Sequence, residues 1–286
     1  MSTAAPLIRW ADAPAPFLAA GRLSLAAAVL LPLALFGPGA HFETWRSRHY
    51  VRTVLAGLFL GAHFLFWITS LGLTSVASSV FLVTLHPVVT AFLGWIFNRD
   101  RVSGRLWIAL AVAVAAALAL VLPDLATGGA GGAAAGQRRA LGDVLALLGG
   151  LAASGYFLMG RSVRRECSTT AYAGLTYAVA ALTAWVAVAL TGAQVTGLPG
   201  RSYLAVLLMG LGPQLLGHTT FNWALRRLPA APVAVAITGE PVGASIFAWL
   251  GFGERPPLSL LVAGPLIALG IYLSASSSRP EEDTVG

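Results

Sequence analysis

Apolar runs of roughly 20 residues recur along almost the whole chain, and each is long enough to cross a bilayer as an α-helix. Backbone amides find no water in the hydrocarbon core, so spanning segments must be helices or closed barrels. The alternation over about ten residues that marks a barrel strand is absent. Only 10% of the 286 residues are charged, whereas a soluble protein carries about 25%. The sequence therefore predicts an all-α, multi-pass membrane protein.

The apolar runs predict nine complete spans. The stretch 124–139, rich in glycine and alanine, is predicted to be a flexible linker. It separates a first unit, 1–123, from a second unit, 140–277, and the polar residues 278–286 are predicted to be a disordered tail. The spans are placed at 14–36, 50–72, 75–97, 105–123, 140–160, 171–191, 202–224, 231–252 and 258–277.

The arginines predict how the chain is oriented. Twelve of them, including Arg161, Arg164 and Arg165 after one span, fall on one side of the predicted membrane, and four fall on the other. Arg9 and Arg22 are set aside because their depth is open: Arg22 either snorkels outward or pairs internally. Positive charge is enriched in cytoplasmic loops, so the C-terminus is predicted to be cytoplasmic. Membrane topology accounts for the net charge of +7, and no nucleic-acid partner is predicted.

The chain contains an internal repeat. The stretch "HPVVTAFLGWIFNRDR", beginning at His86, aligns without a gap with "EPVGASIFAWLGFGER", beginning at Glu240. Each copy has a proline at its second position, Pro87 and Pro241. The offset of 154 residues covers five predicted spans, an odd number, so the two copies are predicted to have opposite orientations. Inverted repeats are typical of secondary transporters, with the binding site near the midplane where the repeats meet.

The repeat also predicts that one helix is incomplete. The second copy opens with the span 140–160, and its partner in the first copy would begin before residue 1. The opening residues "MSTAAPLI" would be only the end of that helix. We therefore expect ten helices by design, with the first largely missing. A start codon assigned too far downstream is one explanation, and a functional half-helix is the other.

The repeated stretches resemble the EamA-type motif of the drug/metabolite transporter (DMT) superfamily. That motif has a proline in an apolar helix, an acidic residue thirteen positions on, a loop and a last helix containing glycine. "APAPFLAAGRL" at 13–23 resembles the segment that opens the family's second helix with an arginine. "LGDVLALLGGLAASGYFLMGRSVRR" at 141–165 resembles the opening of its second repeat. The resemblance covers nearly the whole chain, although Asp100 stands where the first repeat more often has Glu.

This resemblance implies the ten-helix DMT fold, built from two inverted five-helix repeats. It implies a central cavity walled by the third, fourth, eighth and ninth helices with the first and sixth. It also implies export of amino acids or related small metabolites across a bacterial inner membrane. The partners implied are a small-molecule substrate, protons and the lipid bilayer, with the chain a monomer or a homodimer.

Glu240 is the only acidic residue near the middle of a predicted span. A charge there costs about 2.5–3.5 kcal/mol on insertion scales. It can persist by facing a wet cavity, by pairing with a cation or by staying protonated, and the last option suits a proton carrier. The alternative is a protonated side chain hydrogen-bonded to a neighbouring helix. Glu240 is thus a candidate for the substrate or proton pathway.

Polar residues at helical spacing provide the other candidates. Ser79, His86 and Thr90 share one predicted helix face with Val83. Buried histidines more often hydrogen-bond a neighbouring helix than bind a ligand, and prolines more often kink a helix than expose carbonyls to a substrate. The remaining pathway candidates are His63, Trp67, Gln214, His218, Asn222 and Tyr156, with helix kinks at Pro87, Pro241 and Pro213.

Three functions compete at this stage. The leading one is a secondary transporter that exports a small metabolite by alternating access, coupled to protons. An uncoupled facilitator or channel would use the same cavity. An intramembrane enzyme is the remote alternative, because the chain lacks HExxH and GxSxG motifs and has a single cysteine, Cys167. No cofactor and no metal are predicted.

Overall fold

The computed structural model describes residues 2–37, 42, 45–74, 76–98, 103–126, 132–227, 233, 236–237, 239–252 and 260–276. All regular secondary structure in these ranges is helical. The predicted tail, 278–286, and the motif residue Asp100 lie outside the described ranges.

The first half of the chain has six helices in these ranges. They are α1 (Ala4–Ala11), α2 (Ala15–Phe36), α3 (Ser47–Leu71), α4 (Val76–Val83), α5 (His86–Asn98) and α6 (Gly104–Ala126).

The second half has α7 to α12 and one π-helical segment. They are α7 (Gly132–Glu166), α8 (Thr169–Thr191), α9 (Gly200–Met209), the π segment (Gly210–His218), α10 (Thr219–Arg227), α11 (Glu240–Phe252) and α12 (Leu260–Ser276). Within the described residues, five helical stretches are long and apolar enough to cross a membrane. They are Ala15–Phe36, Ser47–Leu71, Gly136–Glu166, Thr169–Thr191 and Gly200–Arg227.

Local sequence signals set both ends of α8. Ser168 precedes α8 in extended conformation, and its side chain accepts a hydrogen bond from the backbone N–H of Ala171. Gly192 follows α8 with φ of 63°, in the left-handed region that glycine enters at little cost. The boundaries of α8 therefore follow from a serine cap and a glycine stop.

Every predicted span contains a helix in the described residues, with two differences of detail. The span 75–97 is broken at Thr84 and Leu85 into α4 and α5. Within the predicted linker 124–139, residues 124–126 and 132–139 are helical, and residues 127–131 lie outside the described residues. Alanine is the strongest helix former, which explains why a stretch containing three successive alanines extends α7.

The helix boundaries repeat with the interval found in the sequence. The helix α2 begins at Ala15 and its counterpart α8 at Thr169, 154 positions later. The interval recurs between α5 and α11, which begin at His86 and Glu240 and each have 13 residues. The counterparts α2 and α8 pack against each other, as do α6 and α12. The structure is thus assembled from two copies of one unit.

Small residues bring the central helices close together. A Cβ placed on Gly57 of α3 would lie 2.5 Å from Cβ of Val179, and one on Gly61 would lie 2.8 Å from Cβ of Thr183. Both neighbours belong to α8, so these glycines form the close α3–α8 contact expected of a small-xxx-small pair. The outer face of α3 exposes large apolar side chains such as Leu58 and Phe59, which suits lipid.

The structure corrects the position of one arginine. The sequence predicts Arg164 after a span, among other arginines, whereas its side chain is fully buried near the end of α7. Its two terminal nitrogens donate to the Tyr172 hydroxyl, at 3.2 Å, and to the Phe157 carbonyl, at 2.5 Å. The sequence could not reveal this because Arg164 lies between two other arginines, Arg161 and Arg165.

Candidate functional site

A small cavity of about 50 Å³ lies among helices of both repeats. The first repeat contributes residues of α1 to α5, and the second contributes residues of α7, the π segment and α11. A water molecule needs about 10–15 Å³ of such volume, so the cavity has room for a few waters. The lining residues are Ala4, Arg22, Leu60, His63, Phe64, Trp67, Val83, Thr84, His86, Ala153, Tyr156, Phe157, His218, Ile237 and Glu240.

The two helix starts that the sequence repeats both lie at this cavity. His86 is the first residue of α5 and Glu240 is the first residue of α11, and both line the cavity. Proline follows each of them, and proline suits the first turn of a helix because its missing N–H has no intrahelical partner there. The two helix starts therefore bring one imidazole and one carboxyl group to the same cavity.

Each proline also leaves a carbonyl one turn earlier without its usual helical donor. Pro87 cannot donate to Val83, and Pro241 cannot donate to Ile237, four positions back in each case. Both Val83 and Ile237 line the cavity. A Cβ on Gly150 of α7 would come within 3.1 Å of the Val83 carbonyl oxygen. The helix α7 thus approaches the break closely because glycine lacks a side chain there.

His63 of α3 has a defined orientation. Its Nδ1 lies 2.9 Å from the Gly149 carbonyl of α7. A carbonyl oxygen only accepts hydrogen bonds, so Nδ1 carries the proton and donates. The ring stacks on Trp67 with centroids 6.0 Å apart and planes 11° apart. In the neutral ring, Nε2 then remains as a hydrogen-bond acceptor.

The π segment places the third histidine. It contains Pro213 and ends at His218, whose ring packs edge-on against Phe64 at 5.3 Å. Segments of π-helix are rare and often occur at functional sites. Gln214 and Asn222, predicted on the same face as His218, are fully buried but lie behind the cavity wall.

Arg22 of α2 also lines this cavity. Its side chain is 1% exposed and lines the cavity. Nε donates to Oε1 of Gln214 at 3.1 Å, and the guanidinium carbon lies 4.1 Å from the centre of the Phe64 ring. The internal position, one of two left open by the sequence, is the one that the structure shows. Its signal in the sequence is depth, because seven residues from the start of α2 correspond to about 10 Å along a helix.

A hydrogen-bonded chain supports the wall at Tyr156. The Tyr156 hydroxyl donates to Oδ1 of Asn222 at 2.5 Å, and Nδ2 of Asn222 donates to the Tyr177 hydroxyl at 3.3 Å. Ser79 lies apart from the cavity and shares a 2.6 Å hydrogen bond with Ser70. The structure therefore brings together six predicted pathway residues and places three others behind them. The six are Glu240, His86, His63, Trp67, His218 and Tyr156, and the three are Gln214, Asn222 and Ser79.

Several buried polar atoms around the cavity have no hydrogen-bond partner in the described part of the chain. They are Nη1 of Arg22, Nε1 of Trp67, Nδ1 of His86, Nε2 of His218 and, behind the wall, Nε2 of Gln214. Buried polar groups are normally paired, so such a cluster needs an explanation such as water or a ligand. Within the described residues, no group of three or more His, Cys, Asp or Glu side chains could hold a metal ion.

Comparisons with known proteins agree with this architecture. No curated protein matches the chain, whereas 27 chains of solved structures do. One of these, described only as "Crystal structure of protein", has a TM-score of 0.75 and 22% identity, over 97% of this chain and 94% of that chain. At that identity, the likeness shows the fold alone. A sequence model of the EamA-like transporter family matches residues 1–122 and 140–276. Because both repeats match over most of their length, the chain belongs to the EamA-like transporter family, a group of membrane transporters within the DMT superfamily.

Proposed function

We propose that this transporter exports amino acids or related small metabolites by alternating access through the described cavity, with protons as the coupling ion. The observation that carries the proposal is the composition of the cavity wall, which takes residues from both repeats. In secondary transporters built from repeats, substrate sites lie where the repeats meet, and helices there are often discontinuous. The breaks before α5 and α11 fit that pattern.

The proposal includes the ten-helix arrangement with two inverted repeats. An odd number of spans per repeat requires opposite orientations, and the repeat interval of 154 residues recurs in the helix boundaries. The arginine bias favours a cytoplasmic C-terminus in a bacterial inner membrane. One copy of the unit would then open toward each side of the membrane.

The size of the cavity points to a closed conformation. A space of about 50 Å³ is too small for an amino acid, so binding requires the walls to move apart. The turns at Thr84 and Gly239, where the helices are interrupted, are natural hinge positions. Motion of α5 and α11 about these breaks would open the site to one side or to the other.

Glu240 is the proposed coupling residue. A single carboxylate can hold a proton or the ammonium group of a substrate, but not both at once. Exchange of one for the other would link export of the substrate to entry of a proton. Its position at the start of α11, on the cavity wall, gives it access to both.

The test uses the full chain expressed in a bacterium and then purified into liposomes. Resistance to a panel of toxic amino acids and analogues identifies a substrate, and counterflow under an imposed pH gradient measures coupling. We expect Glu240→Gln to abolish transport driven by the pH gradient while the protein is still produced. Glu166→Gln is the matched control, because Glu166 lies at the exposed end of α7, away from the cavity.

Three results would count against the proposal. Unchanged pH dependence in Glu240→Gln excludes Glu240 as the proton site. Wild-type flux that follows the substrate gradient and ignores the pH gradient indicates an uncoupled facilitator. Absence of resistance to, or counterflow of, any amino acid or analogue in the panel contradicts the proposed substrate class.

A further inference from the structure

Arg22 is buried, where a charge is energetically unfavourable. A buried cation loses its hydration, and in proteins the loss costs several kcal/mol unless charge and hydrogen bonds compensate. Arginine keeps its charge in essentially every environment. Its guanidinium carries five N–H donors, and within the described residues it contacts the amide oxygen of Gln214 and the ring of Phe64. The side chain is therefore held in position, but its N–H donors are not all hydrogen-bonded within the described residues.

The contacts with Gln214 and Phe64 leave one outer nitrogen of the guanidinium without a hydrogen bond in the described part of the chain. Gln214 takes the inner nitrogen, Nε, while Nη1 at the outer end has no partner in the described part of the chain. Phe64 covers one face of the planar group. Stacking on a ring and a bond at Nε together hold the plane in one orientation. An oriented guanidinium whose outer nitrogen Nη1 has no partner in the described part of the chain can donate to a carboxylate.

Glu240 forms no direct ion pair with Arg22 in the described part of the structure. Glu240 lines the same cavity, but no ion pair within 4.0 Å joins the two residues in the described part of the structure. An ion pair would have been the simplest way to stabilise both groups. Arg22 and Glu240 therefore line one cavity without a direct ion pair between them.

The neighbouring polar atoms favour an acceptor-rich ligand. The indole nitrogen of Trp67 can only donate, and it too has no partner in the described residues. The cavity wall also has an apolar part, which includes Leu60, Val83 and Ile237. A small organic anion with one carboxylate and an apolar body fits this combination better than inorganic phosphate, because one arginine cannot balance a doubly charged anion.

We propose that Arg22 binds the carboxylate of the transported substrate, with Gln214 as the residue that positions its guanidinium. The ligand class is a small carboxylate with an apolar body, and this inference rests on the proposed transport function. Phe64 contributes by stacking, and Trp67 contributes an N–H to the same carboxylate. Substrate that lacks a carboxylate would leave the Arg22 charge buried without an anion.

The first experiment uses the wild-type, full-length protein in detergent and requires no substitution. Binding is measured by tryptophan fluorescence and by thermal stabilisation for leucine and phenylalanine, their amides, and their analogues without the amino group. Hydrogen bonds to charged groups in buried sites correspond to about a 10-fold to 100-fold change in affinity. We expect amidation to weaken binding by that factor and the analogues without the amino group to retain binding.

The variants assign the effect to Arg22. We expect Arg22→Gln to remove the difference between acid and amide, and Arg22→Lys to keep part of it, because lysine keeps the charge but not the fork. Arg138→Gln, an exposed arginine near the start of α7, is the matched control. If Arg22→Gln does not fold, the comparison of acid with amide in the wild-type protein and the Arg22→Lys variant decides.

The outcomes separate this inference from the transport function. Equal affinity for acid and amide, binding of inorganic phosphate with no effect of amino acids, or failure of every carboxylate among the common amino acids and short fatty acids to bind overturns the inference. Transport that is independent of Arg22 overturns it while leaving the function intact. Carboxylate binding that depends on Arg22, without any counterflow, supports the inference and contradicts transport.

Discussion

Two arginines are buried in the described part of this chain, and they are bound in opposite ways. Arg164 donates from both terminal nitrogens, to a hydroxyl of α8 and to a carbonyl of its own helix, and its Nε has no partner among the described residues. Arg22 donates from Nε to Gln214, and no described residue accepts a hydrogen bond from its terminal Nη1. Burial and charge are therefore the same at both sites, and the difference lies in which end of the guanidinium is bound.

That difference separates a structural arginine from a binding one. The terminal fork is the part of arginine that grips carboxylates. In Arg164 the fork joins α7 to Tyr172 of α8, away from the cavity. In Arg22 the fork lies at the cavity, and the bond at Nε serves to orient it. A buried charge alone says little about function, whereas an oriented guanidinium with an unpartnered terminal nitrogen at a cavity indicates a ligand.

The largest expected difference between the two arginines concerns stability without ligand. Arg164→Gln loses two hydrogen bonds from a charged group, each worth about 1.5–3 kcal/mol. We expect it to lower the free energy of unfolding by about 3 kcal/mol or more. Arg22→Gln loses one hydrogen bond but also removes an unbalanced buried charge, so we expect a change below about 1 kcal/mol. Thermal and denaturant unfolding in detergent measure both. Equal destabilisation by the two substitutions would assign Arg22 to structure.

A substitution beside Arg164 tests the same comparison without changing any charge. Gly160 faces Arg164 across the turn of α7, and a Cβ at Gly160 would overlap Nη1 of Arg164 and the hydroxyl of Tyr172. Both neighbours are fully buried, so neither can move away cheaply. We expect Gly160→Ala to destabilise the protein by about 1–3 kcal/mol through overpacking, although alanine favours helix.

The control for this substitution lies in the same helix. Gly136 has no atom within 4 Å of its Cβ position, so Gly136→Ala should stabilise α7 slightly, by about 0.5–1 kcal/mol. Ligand affinity of the folded fraction should be unchanged in both variants. A stabilising effect of Gly160→Ala would show that Arg164 and Tyr172 can rearrange, which contradicts their description as a rigid pair.

Much of the fold could be predicted because its signals are local. Apolar length locates the spans, and the paired Pro87 and Pro241 locate the two helix breaks. The candidates His63, His86 and Glu240 could be named because polar residues are conspicuous in apolar helices. The DMT-type resemblance was likewise confirmed by the family match over both repeats.

The remaining features could not be predicted because they depend on contacts distant in the sequence. Arg22 and Gln214 are 192 residues apart, so no local pattern links them. The burial of Arg164 depends on Tyr172 of the next helix. The change to π-helix around Pro213 is a shift in hydrogen-bond register, and a proline alone predicts a kink without its type.

The smallest expected effect concerns the bond that orients Arg22. Gln214→Leu removes the acceptor of the 3.1 Å hydrogen bond from Nε and keeps a buried side chain of similar size. A single hydrogen bond contributes about 0.5–1.5 kcal/mol, so we expect carboxylate affinity to fall about twofold to tenfold, with the preference for acid over amide retained. The matched control is Gln137→Leu, at an exposed position of α7. Titration of phenylalanine and its amide against both variants measures the effect. Complete loss of the preference in Gln214→Leu would mean that Gln214 contacts the ligand itself, and an unchanged affinity would mean that Phe64 alone holds the guanidinium. The first result would make Gln214 a residue that binds the ligand. The second would leave Phe64 as the residue that orients the Arg22 guanidinium, so either result would change the assignment of roles within the site.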